Sequence, residues 1–195
     1  MTKVIVAHSG GVDSTVLVYD QLASGSEVVG FGVDYGQRHR RELEAAKAIC
    51  ADLGVEYLTA SVAGPFGGSE LTDGRGGVVV PNRNMVLIAL AGAAAVSLGA
   101  GYVAVGCHKG DHDLFPDCRP VFMEHMWSAL RKGADGVRLL TPYVTLTKLE
   151  VVSRGVELGV PFDRTWSCYR GGEAPCGECL ACRERHQALY LLGVA

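Results

Sequence analysis

Four cysteines crowd near the end of the chain, at Cys168, Cys176, Cys179 and Cys182, with the spacing C-x7-C-x2-C-x2-C. Three thiolates at two-residue intervals, joined by one from just upstream, can close a tetrahedron around zinc. No coordination position stays open, so such a site is structural and pins a segment with little core of its own. At the other end of the chain a hydrophobic run gives way to Ser9-Gly10-Gly11-Val12-Asp13-Ser14. After a strand, the backbone N–H groups of two glycines can approach a phosphate without side-chain obstruction. Ser9 and Ser14 can donate hydroxyls, and the helix that follows adds partial positive charge. The lysine of G-x-x-x-x-G-K-[ST] is missing, and G-x-G-x-x-G is absent too. Asp13 stands at the start of that helix, where its plainer role is to cap it.

Composition narrows the partners. The chain has 195 residues, 48% of them apolar, enough for one globular domain with a real core. A net charge of -3 gives no global basic field to attract nucleic acid. The longest apolar stretch, residues 85–100, is shorter than a membrane span. No signal peptide is legible, so a cytoplasmic protein is expected. In a reducing compartment a four-cysteine cluster points to metal rather than disulfides. Of the other three cysteines, Cys50 and Cys107 read as small core residues. Cys118 has no evident base beside it and takes no catalytic role.

These residues need a frame. Strands are expected over residues 3–7, 27–34, 55–62 and 102–107, with a short one over 139–144. Helices are expected over 14–23, 40–53, 84–98 and 120–132, the last with Pro120 at its start. Thr147-Lys148-Leu149-Glu150 fits a capping box for a helix ending at Gly159. Strand alternating with helix is the pattern of an open parallel sheet with helices on both faces, an α/β Rossmann-like fold. The glycine-loaded residues 64–77 read as a mobile loop, a candidate lid. Arg83 and Lys148 are cations at element starts, suited to phosphate charge, the plainer alternative being a solvated surface. Asp117 and Arg119 lie beyond the fourth strand, where open parallel sheets bind ligands; for Asp117 the plainer role is turn capping.

The loop at Ser9–Ser14 resembles the pyrophosphate loop of the N-type ATP pyrophosphatases. Further stretches extend the likeness: Asp34-Tyr35-Gly36-Gln37-Arg38-His39, Val80-Pro81-Asn82-Arg83-Asn84, Pro116-Asp117-Cys118-Arg119-Pro120, Leu146-Thr147-Lys148 and Thr165-Trp166-Ser167-Cys168-Tyr169. In order, and with the cysteine segment, they resemble the 7-cyano-7-deazaguanine synthases of the queuosine and archaeosine pathway, nearly end to end.

The resemblance implies a fold and an activity. The fold is adenine nucleotide alpha hydrolase-like, with residues 1–160 as the ATP-binding domain and 161–195 as a helical zinc-binding segment packed on it. The activity is conversion of 7-carboxy-7-deazaguanine with ammonia and ATP to the nitrile, through an adenylated acid and an amide. His8, Ser9, Gly10, Gly11, Val12, Asp13, Ser14, Asp34, Tyr35, Gln37 and Arg83 would bind ATP with its magnesium. Asp111, Phe115, Asp117 and Arg119 would bind the deazapurine. Asp117 would accept from its N–H groups, and Arg119 would grip its carboxylate. Asp13, Ser14, Lys148 and Arg119 would be catalytic. Partners would be small molecules and a second copy in a homodimer, without membrane or direct nucleic acid.

The likeness has gaps. His108 stands where the family more often has asparagine, His112 to Phe115 depart from its Asp-Tyr-Ser-Gly-Tyr-like run, and Asn82 replaces a usual glycine. These changes fall around the expected substrate pocket and leave a second product open, the 7-amido base. A tRNA-thiolating enzyme is a further alternative, against which the short, acidic chain speaks. So is a zinc module that binds nucleic acid through Arg183, Arg185 and His186, though Glu184 interrupts that run.

Overall fold

The structure is a computed structural model that describes residues 1–62, 64 and 66–194. Among them, five strands form one parallel sheet in the order β3-β2-β1-β4-β5. They are β1 Lys3–Ala7, β2 Glu27–Asp34, β3 Glu56–Ser61, β4 Tyr102–Ala104 and β5 Arg138–Leu140. Six helices connect and flank them: α1 Val12–Ala23, α2 Arg41–Asp52, α3 Arg83–Ser97, α4 Pro120–Gly133, α5 Lys148–Glu157 and α6 Leu180–Leu191.

The apolar run of β1 follows from its position at the centre, covered on both faces. Val4 and Val6 point to a layer with Val12, Val16, Leu17, Val151, Val152, Phe162, Ala188 and Leu189. Ile5 points the other way, into a layer with Val29, Val103, Ile88, Ala91, Met123 and Met126. Full burial of one such aliphatic side chain contributes about 1.5–3 kcal/mol. α1, α5 and α6 thus cover one face and α3 and α4 the other, with the strand order reversing at β1.

Glycines set three close approaches. A Cβ at Gly32 would stand 2.0 Å from the Tyr57 hydroxyl, and one at Gly30 2.8 Å from its ring. β2 therefore lets Tyr57 of β3 lie across it and donate to the His8 carbonyl at the end of β1, at 3.0 Å. At Gly155 a Cβ would meet Val16 Cγ2 and Phe162 Cζ at 2.7 Å, which sets how near α5 comes to α1.

The structure shortens two expected strands. After Ala104 the chain makes one more sheet bond, from Val105 N to Leu140 O. It then leaves at Gly106, whose Cα passes against the backbone of Asp13 and Ser14. Beyond Leu140, turns closed by Val144 N to Thr141 O and Leu146 N to Tyr143 O replace pairing. α1 begins two residues earlier than expected, at Val12, with Gly11 as its N-cap.

Pro65, in the candidate lid, and Ala63 just before it lie outside the described residues. The rest of that loop is tied down from Gly68 onward. Ser69 O accepts from the backbone N–H groups of Thr72, Asp73 and Gly74, and Arg38 N donates to Leu71 O at 2.8 Å. Leu71 is buried, so this part docks on the turn that follows β2.

Candidate functional site

The loop after β1 is built around glycine. Gly10 has φ +88°, and a Cβ there would stand 2.0 Å from Glu42 O and 2.8 Å from Ala46 N of α2. Only glycine lets the loop run this close to α2. Gly11 O accepts from Thr15 N at 3.0 Å and from the Thr15 hydroxyl at 2.8 Å, opening α1. Ser9 and Ser14 hydroxyls lie 3.2 Å apart, and Gly11 N donates to Ser9 Oγ at 3.3 Å. Two hydroxyls and the N-terminus of α1 thus meet at one point, the arrangement that holds a phosphate.

Asp13, on the first turn of α1, accepts from Lys148 Nζ through both oxygens, at 2.7 and 2.6 Å. Lys148 is the first residue of α5, where Thr147 caps the helix and Glu150 closes the expected capping box. The pair lines a cavity at the strand-order reversal, together with Ser9, Gly11, Ser14, Tyr35, Arg83, Asp111 and Phe115. This is where open parallel sheets receive ligands.

The expected nucleotide residues divide between lining and support. Tyr35 and Arg83 line the cavity, with Arg83 Nη1 donating to the Tyr35 hydroxyl at 3.2 Å. Burial pushes the Tyr35 hydroxyl up, against the pull of Arg83. Gln37 is buried beneath: its Oε1 accepts from Tyr35 N at 2.9 Å and its Nε2 donates to Val33 O at 3.1 Å. It shapes the turn and leaves little for a ligand. Asp34 accepts from Gly36 N at 3.0 Å and pairs with Arg40. The His8 ring points into the core between Thr15 and Cys50, and burial lowers it to about 4. Val12 turns its side chain into the core as well.

Beyond β4, His108 and Asp111 cap one turn of 3-10 helix, Lys109–Asp111. Asp111 Oδ2 accepts from His108 N at 3.0 Å, and His108 Nδ1 accepts from Gly110 N at 3.1 Å. Burial raises the Asp111 carboxyl, with His108 opposing. Asp117 is buried and accepts from Asn84 N at 2.9 Å, so it caps α3 rather than the turn before α4. Arg119 is exposed, donates from Nε to His112 O at 2.9 Å, and is not brought to the cavity. Neither His112 nor Asp113 lines it. Asn82 has φ +56°, the left-handed conformation in which glycine is the easy choice.

The ligand atoms of Cys168, Cys176, Cys179 and Cys182 all lie within 4.8 Å of one another, so the cluster could hold a metal ion. Cys176 N donates to Cys168 Sγ and Cys179 N to Cys176 Sγ, at 3.4 and 3.3 Å. Backbone N–H groups of Cys179 and Glu178 bring the Cys176 thiol down to about 6, which favours the thiolate a metal needs. This donor set fits a closed tetrahedral ion. The segment also reaches the loop. Trp166 N donates to Gly10 O at 2.9 Å, and Trp166, Ser167, Tyr169, Ala181 and Glu184 form one wall of the cavity.

Glu184 lines the cavity, although the sequence reading gave it no role there. It is half-buried on α6, and burial raises its carboxyl while Lys148 and His108 oppose. Ala181, Glu184 and Ala188 share one face of α6, the helical signal that marks it.

Comparison with known proteins shows the family. The family model described as "Queuosine biosynthesis protein QueC" matches residues 3–193. The 7-cyano-7-deazaguanine synthase of Caldicellulosiruptor bescii is 42% identical over 209 residues, 98% of this chain and 94% of that protein. That of Pseudoalteromonas translucida is 39% identical over 202 residues, 95% and 93% of the two. Among solved structures, the U34-tRNA thiolase NcsA from Methanococcus maripaludis with its [4Fe-4S] cluster is similar, at 19% identity and TM-score 0.56. That match covers 97% of this chain and 64% of the other, and at this identity it is a likeness of fold.

Proposed function

Since the chain belongs to the QueC family of queuosine biosynthesis proteins, we propose that it is an ATP-dependent C–N ligase making 7-cyano-7-deazaguanine from 7-carboxy-7-deazaguanine and ammonia. The observation that carries this reading is the cavity that joins the Ser9–Ser14 loop to the Asp13–Lys148 pair. ATP would place its β- and γ-phosphates on that loop, and Asp13 would hold its magnesium, which would neutralise charge on the leaving pyrophosphate. The substrate carboxylate attacks the α-phosphorus and pyrophosphate leaves. Ammonia then attacks the acyl carbon and expels AMP, giving the amide. The amide oxygen is adenylated by a second ATP, and loss of AMP and the nitrogen-bound protons leaves the nitrile. Lys148 and the α1 N-terminus stabilise the charge developing on the leaving pyrophosphate.

Zinc is the ion we assign to the four cysteines, with residues 161–195 as a segment pinned on an ATP-binding domain of residues 1–160. Among the described residues no helix is long and apolar enough to cross a membrane; a cytoplasmic homodimer acting on small molecules is the setting we propose. Arg119 would have to swing in from the surface to meet the substrate carboxylate, and Asp117 would offer only what its bond to Asn84 leaves free. The test is mass spectrometry of the purine after incubation with the 7-carboxy base, ammonium and ATP, with AMP and pyrophosphate assayed alongside. Release of ADP and phosphate only would point to an acyl phosphate and overturn the adenylation.

A further inference from the structure

A second cysteine pair lies inside the cavity itself. Cys107 follows β4, and Cys118 ends the 3-10 turn Pro116–Cys118. Both are buried, and both line the cavity. Their Sγ atoms and a carboxylate oxygen of Asp111 all lie within 4.8 Å of one another. Two sulfurs and one oxygen at such separation match three corners of a tetrahedral site for a borderline divalent ion.

The surroundings resemble an outer shell, not a plain apolar pocket. Asn84 Nδ2 donates to Cys118 Sγ at 3.1 Å and reaches Cys107 Sγ at 3.9 Å. Asn84 is itself anchored, with its amide on Asp117 O at 3.2 Å and its backbone N on the Asp117 carboxylate. Asp111 is oriented by the bond from His108 N. Fixed donors to sulfur and a hydrogen-bonded carboxylate are what tune and orient metal ligands. A neutral thiol accepts this donor only weakly, whereas a thiolate accepts it strongly.

We propose that Cys107, Asp111 and Cys118 form a second metal site, distinct from the four-cysteine cluster, that takes a zinc-class divalent ion. On binding, the two thiols release their protons to solvent, and two thiolates and one carboxylate hold the ion. The fourth position lies on the cavity side and accepts water or a nitrogen or oxygen donor of a bound molecule. The inference rests on these residues alone and does not depend on which substrate the cavity takes.

The experiment uses the full-length, fully reduced protein with its four-cysteine site already loaded with zinc. Cobalt(II) is titrated in under exclusion of air while retained zinc is measured by elemental analysis. One further equivalent should bind, with sulfur-to-cobalt charge-transfer absorption and tetrahedral visible bands, at unchanged zinc content. Added zinc should shield Cys107 and Cys118 of the unaltered protein from iodoacetamide at least tenfold, read by peptide mapping. Cys118→Ser should diminish the charge-transfer band, and Asp111→Asn should weaken cobalt binding at least tenfold. Cobalt that binds only by displacing zinc, or thiols alkylated equally with and without zinc, would overturn the site. The alkylation comparison needs no variant, so a Cys118→Ser protein that fails to fold does not blunt the test.

Discussion

Lys148 Nζ bridges both carboxylate oxygens of Asp13, at 2.7 and 2.6 Å, across 135 residues of sequence. The bond joins the first turn of α1 to the first residue of α5. Both side chains are partly exposed, so the pair adds little to stability, about 1 kcal/mol or less. Its value lies in presenting a cation and a carboxylate together beside the phosphate loop. Lys148→Met should therefore lower turnover about 10²–10³-fold while the melting temperature moves by only a few degrees. Pyrophosphate release and calorimetry on the same preparation check both halves. A large fall in melting temperature with modest loss of turnover would make the pair a structural clamp.

Gly10→Ala tests the loop itself. Its φ of +88° and the 2.0 Å approach to Glu42 O combine backbone strain with a clash. The expected destabilisation is about 3 kcal/mol or more, with ATP binding lost. Gly25 is the control. It has φ +80°, but a Cβ added there would meet nothing within 4 Å. Gly25→Ala therefore suffers strain alone, about 1–2 kcal/mol, and keeps its activity.

His8 sets an acid limit. Burial lowers it from 6.5 to about 4, so the folded protein resists its protonation while the unfolded chain accepts it. Above pH 6.5 both states carry it neutral and stability is full. Between pH 6.5 and 4 the unfolded state binds the extra proton, and about 3 kcal/mol is lost. His8→Phe keeps a ring between Thr15 and Cys50 but cannot titrate. Denaturant melts at pH 7 and pH 4.5 should show a smaller difference for this variant than for the unaltered protein.

Much of this is legible in the sequence alone. The β-branched run of β1, the glycine turn after it and the capping box at Thr147 each carry a local physical signal. What escapes depends on distant partners. Gln37 sits in a motif with nucleotide residues, yet its amide is spent on Tyr35 N and Val33 O. Asp117 reads as a cap for its own neighbourhood, but tertiary folding brings it to the start of α3. Arg119 follows the right strand and still points outward, held by His112 O. Glu184 lies hidden in a basic-looking run whose helical phase turns it inward. Residue type and spacing report local chemistry; the direction of a side chain depends on packing that spacing does not encode.

Removal of the ion we assign to the four cysteines should reach the Ser9–Ser14 loop. The cluster adjoins Trp166, whose backbone N holds Gly10 O at 2.9 Å, and Arg185 of α6 donates to Thr165 O at 2.9 Å. Elemental analysis should find one zinc tightly held at this cluster per chain. Cys182→Ser should lower both zinc content and melting temperature, because a closed thiolate site contributes folding free energy. ATP affinity measured by calorimetry should fall with them. A zinc-free protein with unchanged melting temperature and ATP binding would contradict this coupling.

The choice between nitrile and amide can be tested at His108. Its side chain caps the 3-10 turn after β4, with Nδ1 accepting from Gly110 N and Asp111 Oδ2 returning a bond to its backbone. An asparagine carboxamide oxygen can accept the same bond, so the histidine keeps the geometry that the family's more usual residue would give. The neighbouring departures at His112 and Asp113 lie off the cavity. The altered residues therefore change little of the cavity lining, and we expect nitrile formation to proceed. Supplied with the synthetic 7-amido base and ATP, without ammonia, the protein should convert it to the nitrile and release one AMP per nitrile. His108→Asn should preserve that conversion within about threefold, well inside the 1.4 kcal/mol of a tenfold change. If the amide stays untouched while the acid is amidated, the enzyme stops at the amide. Recovery of nitrile formation in His108→Asn would then locate the block at this turn.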